Sequence, residues 1–210
     1  MQKIDKIDKT EKIEEEEDLR VRRTRLMLQE ALMALAVEKG FAAITVRDIT
    51  ERAMVNRSTF YRHYLDKYDL LETYTDELYA SIYATEDPMH EDMPGQAPSG
   101  LIRFLEHIYT YRDFYRVMLG ANGDARFIQH FRQNIENRMR YLLEISGSEI
   151  EANGAPLGMR LSYISCADIG AILWWLENEP KRTPEEVALL LGEMSSTSAG
   201  LRFSRKRATT

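Results

Sequence analysis

The sequence predicts an all-α fold, in which a small three-helix module containing a helix-turn-helix precedes a larger helical body. Three observations predict it. Apolar residues recur at helical spacing through most of the chain, and no stretch alternates convincingly as a strand. Glycine and proline clusters cut the pattern into separate helices. Basic charge is confined to one short segment. Residues 1–18 carry a net −4, residues 19–67 a net +5 and residues 68–210 a net −7, within a total of −6. A basic segment on an acidic body suits a phosphate-binding head.

Residues 3–14 read KID-KID-KTE-KIE, and EEEED follows. A period of three matches neither a strand nor one face of an α-helix. Residues 1–18 therefore read as a charged, solvated tail that can extend the first helix. From Leu19 the pattern turns helical. Leu28, Leu32 and Leu35 fall at i, i+4 and i+7 with Ala31 beside them, forming one apolar stripe. Gly40 follows Lys39 and suits a left-handed C-cap, after which Phe41 and Ile44 can fold back onto the stripe. Thr45 caps the next helix, and Asp48 can return the bond as a capping box. Ile49 and Ala53 face inward, Met54-Val55 makes a break, and Asn56 is a suitable N-cap for a third helix to about His63. Two short helices joined by a tight turn, after a longer helix, make a helix-turn-helix module. Its bounds are 19–67, and 68–210 is the helical body.

Asp66 opens a fourth helix that runs through Tyr83. Residues 84–100 hold three prolines and two glycines without periodicity and read as a loop. His90, Glu91 and Asp92 stand in it without helical ligand spacing, so they read as solvated side chains rather than a metal site. Further helices are expected at about 99–110, 111–119, 124–146, 158–179 and 184–197. Gly120, Asn122 and Gly123 mark one break. Gly147 and Asn153-Gly154-Ala155-Pro156 mark another. Thr183 caps the last helix, and Pro184 takes its first position.

No apolar run reaches the roughly 18 residues of a membrane span, and charge from Lys3 onward leaves no signal-peptide core. The lone Cys166 cannot form an intramolecular disulfide, which fits a reducing cytoplasm. No Gly-rich phosphate loop, CxxC or HExxH is present. Cys166 lies in the apolar stretch YISCADIGAI with Asp168 on another helix face, so it reads as a buried, inert thiol. The four histidines share no catalytic spacing. The sequence therefore predicts no catalytic residue, no metal and no cofactor.

Residues 24–71 carry Ala31-Leu32, Gly40-Phe41, Thr45-Val46, Ile49, Ala53, Val55, the run Ser58-Thr59-Phe60-Tyr61-Arg62-His63-Tyr64, and Lys67 ahead of Leu70-Leu71. This segment resembles the DNA-binding domain of the tetracycline-repressor (TetR) family. Residues 170–191, GAILWWLENEPKRTPEEVALLL, are similar to the family's last two helices. The sequence departs from the family at Met54, where a glycine is usual, and at Thr50, where alanine is. A side chain at Met54 costs about 1–2 kcal/mol if the backbone there is left-handed.

The resemblance implies a cytoplasmic, homodimeric transcription regulator that binds a palindromic operator in double-stranded DNA through its third helix. It also implies a repressor that responds to a small-molecule effector in the body. On that third helix the candidates for contact are Asn56, Arg57, Ser58, Thr59, Arg62 and His63, with Phe60 packed beneath. Arg57, in the first turn, is long enough to reach a guanine edge. Tyr61, His63 and Lys67 resemble the family's phosphate contacts, and Arg47 can reach phosphate or base. Arg20, Arg22, Arg23 and Arg25 can add attraction independent of sequence. The resemblance implies an effector pocket among the middle helices, for which His107, Met118 and Tyr163 are candidate lining. Ala167, Gly170 and Ala171 are small enough for close helix approach at a dimer interface, with Trp174 or Trp175 as anchor. A coactivator or protein-interaction adaptor on the same fold is the alternative that the acidic body permits.

Overall fold

The structure is a computed structural model. It describes residues 2–84, 97–121, 123–146 and 155–198, and side chains at 19–84, 97–121, 123–144 and 155–195. The described residues form nine α-helices and one 3₁₀ turn, with no strand among them. The helices are α1 (Gln2–Lys39), α2 (Val46–Arg52), α3 (Arg57–His63), α4 (Lys67–Tyr83), α5 (Ser99–Thr110), α6 (Arg112–Leu119), α7 (Ala125–Ser146), α8 (Leu157–Asn178) and α9 (Pro184–Ser198). The order is the one the periodicity predicts, and the charged repeat continues α1 as helix from Gln2. His90, Glu91 and Asp92, with Asn122 and the Gly147 and Asn153-Gly154 break, lie outside the described residues. The chain divides into two compact units, Met1–Tyr74 and Thr75–Thr210.

In the first unit the α1 stripe is the floor of the core. Leu28 and Leu32 are completely buried, and Ala31, Leu35 and Ala36 are buried beside them. Each such leucine contributes about 1.5–3 kcal/mol through loss of apolar surface from water. Phe41, Ile44, Ile49, Ala53, Phe60, Tyr64, Leu70 and Leu71 close over them. Gly40 differs from the expected αL cap. Its φ of 78° is positive, but its ψ of 144° is extended, so it turns the chain outward into the 3₁₀ turn Phe41–Ala43. The positive φ still favours glycine. Two ion pairs tie α1 to α2: Lys39 Nζ to Asp48 at 2.8 Å, and Arg52 Nη2 to Glu38 at 2.7 Å. Thr45 and Asp48 form the full reciprocal capping box. Hydrogen bonds from Lys39 and Thr45 hold the Asp48 carboxyl well below the usual carboxylate range.

The turn from α2 to α3 is a Schellman cap. Val55 N donates to Thr50 O at 2.9 Å, Met54 N donates to Glu51 O at 3.3 Å, and Met54 takes a φ of 54°. The αL residue of this cap is usually glycine, because a Cβ clashes there with the backbone. Met54 is the one described non-glycine residue with positive φ, and its side chain is 91 % exposed. It therefore bears the strain without gaining burial.

The second unit packs around aromatic rings. Tyr79 of α4, Phe104 of α5, Tyr115 of α6 and Phe127 and Phe131 of α7 are all buried, with successive ring centres 5.0–6.4 Å apart. The α8–α9 turn is fixed at three points. Trp175 stacks on Tyr109 with centroids 5.6 Å apart, its Nε1 donates to Arg182 O at 3.0 Å, and Tyr109 Oη donates to Pro180 O at 2.9 Å. Thr183 and Glu186 exchange capping bonds at the start of α9. Trp175 is thus buried in its own chain and offers no surface to a partner, contrary to expectation, while Trp174 is 55 % exposed. Tyr163, expected inside a pocket, is 64 % exposed, and Cys166, expected buried, is exposed. The reason is the rotation of α8. Leu161, Ile164, Ile172 and Leu176 face inward, which turns Tyr163, Cys166, Ala167, Gly170 and Trp174 out.

Two substitutions check these packing arguments. Met54→Gly relieves the strained φ, but the glycine loses more chain entropy on folding. The net expectation is a gain of about 0.5–1 kcal/mol in urea denaturation. The second concerns Asp168 on α8, whose Oδ1 accepts a 2.8 Å bond from Ser195 Oγ on α9. Burial pushes its carboxyl up to about 6, with the Ser195 bond opposing. The fold therefore favours the neutral form. That stability is present below the unfolded carboxyl pKa of about 3.9 and is lost as pH rises through about 6. Asp168→Asn keeps the acceptor and removes the titration. It should be more stable than the parent at neutral pH, with the difference shrinking toward pH 4 or so.

Candidate nucleic-acid interface

The orientation of α3 decides what the first unit presents. Phe60 is completely buried, so the opposite side of this short helix faces solvent. Arg57, Ser58, Tyr61 and Arg62 are exposed, and Thr59 and His63 are half-buried. Asn56 holds the N-cap position, and its carbonyl accepts from Thr59 N at 2.9 Å and Phe60 N at 3.1 Å. Its side chain makes no capping bond, contrary to expectation, and it is exposed.

Charge pairing separates the basic residues into two kinds. Lys39 and Arg52 are neutralised by Asp48 and Glu38 and serve the scaffold. Arg57 and Arg62 rest instead on neutral hydroxyls of their own helix. Arg57 Nη2 lies 3.5 Å from Tyr61 Oη with its guanidinium 5.9 Å from the Tyr61 ring centre, and Arg62 Nη2 donates to Thr59 Oγ1 at 3.2 Å. Among the described residues these two guanidiniums face solvent with their charge uncancelled. Arg47 is intermediate. Its Nε donates to Glu51 at 2.6 Å, one turn along α2, and the side chain is 74 % exposed. An arginine held at Nε still has its two Nη groups for a phosphate or a base edge. His63 is held below the usual histidine range by burial first, then by the positive charges of Arg25 and Arg62. A neutral imidazole therefore closes the row.

Lys67 departs from expectation. Its ammonium donates to Phe41 O at 2.8 Å, Ala42 O at 3.1 Å and Ile44 O at 2.9 Å. It also lies 4.7 Å from the Phe41 ring centre and 5.4 Å from that of Tyr68. Its ammonium is thus held by three backbone carbonyls of the first unit, a scaffold contact. No sequence pattern marks those carbonyls, which are 23–26 residues away along the chain.

The regulatory-protein profile "Bacterial regulatory proteins, tetR family" matches residues 28–74, and the "Transcriptional regulator C-terminal region" profile of the same family matches residues 96–197. The chain belongs to the TetR family. The first of these matches spans the end of α1 through the start of α4, the whole of the helix-turn-helix just described. A curated relative, the uncharacterized HTH-type transcriptional regulator YxbF of Bacillus subtilis (strain 168), is 24 % identical over 179 residues. That alignment covers 80 % of this chain and 44 % of the relative, so the chain spans less than half the length of that relative. A TetR transcriptional regulator from Streptococcus agalactiae shares the fold with a TM-score of 0.61 and 24 % identity, covering 85 % of this chain and 97 % of that one. The dihydroxyacetone kinase operon activator DhaS does so with a TM-score of 0.60 and 16 % identity, covering 84 % and 96 %.

Within the TetR domain, the sequence identifies the exposed α3 residues but not the carboxylates beside them. Glu51, at i+4 from Arg47 on one helix face, carries a legible signal. The Glu38 and Asp48 pairs join different helices and carry none.

Arg57, exposed in the first turn of α3, is the residue whose substitution tests reading of bases against mere attraction. Arg57→Ala should cost about 1–3 kcal/mol at one base position and relax choice there. Titration against a bound duplex and its single-base variants checks this. Equal losses at every position would exclude a base contact.

Proposed function

We propose that this TetR-family chain is a cytoplasmic, dimeric, DNA-binding transcriptional regulator, a repressor whose hold on a palindromic operator is modulated by a small molecule. The observation that carries the reading is the pair Arg57 and Arg62, uncancelled on the exposed side of a helix whose other side is anchored by Phe60. A helix of that kind fits the major groove. Asn56, Ser58 and Thr59 add short polar groups beside it, and Tyr61, with its ring half exposed, suits a phosphate. Arg47 serves phosphate or base from α2.

The dimer reading rests on α8 and α9. Tyr163, Ala167, Gly170 and Trp174 of α8 repeat at i, i+4, i+7 and i+11 on its outer side, with Ala171 half-buried beside them. Leu189, Leu190 and Met194 of α9 are each 43–51 % exposed. Such a stripe on two neighbouring helices suits a four-helix contact with a second copy. The effector reading rests on α5 and α6. Met118 is fully buried, and His107 packs 4.7 Å from the Tyr111 ring and 5.9 Å from Tyr115. Burial pushes His107 down to about 4, so a ligand beside it would meet a neutral imidazole. No described helix is long and apolar enough to cross a membrane.

Selection of bound duplexes from a random pool, followed by footprinting, tests the whole reading. The expected site is an imperfect palindrome with half-sites about one helical turn, roughly 34–36 Å, apart or somewhat more. Gly170→Arg tests the dimer. Gly170 is exposed and a Cβ there meets nothing within 4 Å, so a side chain can be added without a clash at its root. It should give folded monomers in sedimentation and lose operator binding. A variant of unchanged dimer mass would place the interface elsewhere.

A further inference from the structure

We propose that Lys67 is a positioning residue, which fixes the start of α2 and so the place of Arg47, rather than a ligand for phosphate. The proposal rests on the DNA-binding reading above for its consequence, but on the fold of the first unit alone for its cause.

The 3₁₀ turn leaves α1 at the positive-φ Gly40 and turns back at once into α2. In so short a reversal, the carbonyls of Phe41, Ala42 and Ile44 crowd toward one point. They resemble the orphaned carbonyls at a helix C-terminus, where a cation is favourable. Lys67 supplies that cation from the first residue of α4, with one N–H to each oxygen, at 2.8, 3.1 and 2.9 Å. Phe41 O also accepts from Ile44 N at 3.2 Å, which its second lone pair allows. A tetrahedral ammonium can serve three oxygens around a point. A planar guanidinium cannot place its fork so.

The third of those carbonyls connects the tie to the interface. Ile44 O belongs to the peptide of Thr45, the N-cap of α2. Asp48 accepts from Thr45 N and from Thr45 Oγ1, both at 2.7 Å, and pairs with Lys39 at 2.8 Å. The first turn of α2 is thus held on one side by Lys67 and on the other by Lys39. Arg47 stands inside that turn. Released from Lys67, the Ile44–Thr45 peptide can rotate, and Arg47 moves with it.

The experiment compares Lys67→Met, Lys67→Arg, Arg47→Ala and the Lys67→Met/Arg47→Ala double variant in the full chain. The probe is a duplex selected by the parent from a random pool, titrated at several salt concentrations. Amide hydrogen exchange at Asp48 and Ile49, whose N–H groups bond to Thr45 Oγ1 and Thr45 O, is followed without DNA. Both Lys67 variants should exchange faster at those two amides and bind about tenfold or more weakly, with arginine giving no rescue. The double variant should bind like Arg47→Ala and keep its salt slope, since Lys67 acts through Arg47. Lys67→Arg retains the charge and carries the comparison should Lys67→Met fail to fold. A phosphate ligand would behave otherwise. Arginine would restore binding, and the double variant would lose about 0.9 further in salt slope. Either of those results, or unchanged exchange at Asp48 and Ile49, overturns the proposal. The exchange measurement decides even if no duplex is ever selected, so failure of the DNA reading shows separately.

Discussion

The rotation of α3 about its own axis depends on one side chain. A helix of seven residues has fewer than two full turns, too short for an apolar stripe, so a single buried contact has to set its orientation. Phe60 provides it, with no exposure at all and with Tyr64 at 5.7 Å as its neighbour ring. Once Phe60 is down, Arg57, Ser58 and Arg62 have nowhere to point but outward. The rest of the first unit can be understood as a mould for that ring. The buried α1 leucines belong to the core of the same unit, the Schellman turn joins α3 to α2, and Tyr64 packs beside the ring. Moving Phe60 into water would cost several kcal/mol, about 3–5 for a truncation to alanine, and would leave the short helix without an orientation.

Two kinds of basic residue do different work around this mould, and the distinction is one of electrostatic economy. Lys39, Arg52 and Lys67 have their charge absorbed by carboxylates or by clustered carbonyls, so they organise the protein. Arg57 and Arg62 lean on hydroxyls, which orient a guanidinium without cancelling it. Net charge by segment cannot tell these apart, since each residue counts as +1.

Much of the architecture was legible because its signals are local. The Thr45–Asp48 box, the Thr183-Pro184 start and the i, i+4, i+7 leucines each lie within one turn or two of the residues they organise. The same holds for Met54, where a resemblance exposed a departure that the backbone then realises as a positive φ. What escaped was non-local. Lys67 is matched to carbonyls more than twenty residues back. Trp175 and Trp174 are adjacent in sequence, and the stacking of Trp175 on Tyr109 and its bond to Arg182 O, both contacts outside α8, accompany its inward placement. On α8, apolar residues occur on both sides of the helix, so periodicity alone leaves its inner side ambiguous, and Tyr163 and Cys166 lie on the outer one.

The Arg47–Glu51 pair has a kinetic meaning. Seen from several ångströms away, still within the Debye length of about 8–10 Å, the two charges at 2.6 Å act as a dipole whose field dies away quickly. Arg57 and Arg62 remain monopoles at that range. On the proposed reading, long-range capture of a duplex belongs to α3, while Arg47 enters only when a polyanion is close enough to compete with Glu51 for it. An exchange of partners at short range lengthens the lifetime of a complex far more than it hastens its formation. In such a division of labour, the uncancelled charges of α3 govern how often the protein meets DNA, and the released Arg47 of α2 adds to how long it stays.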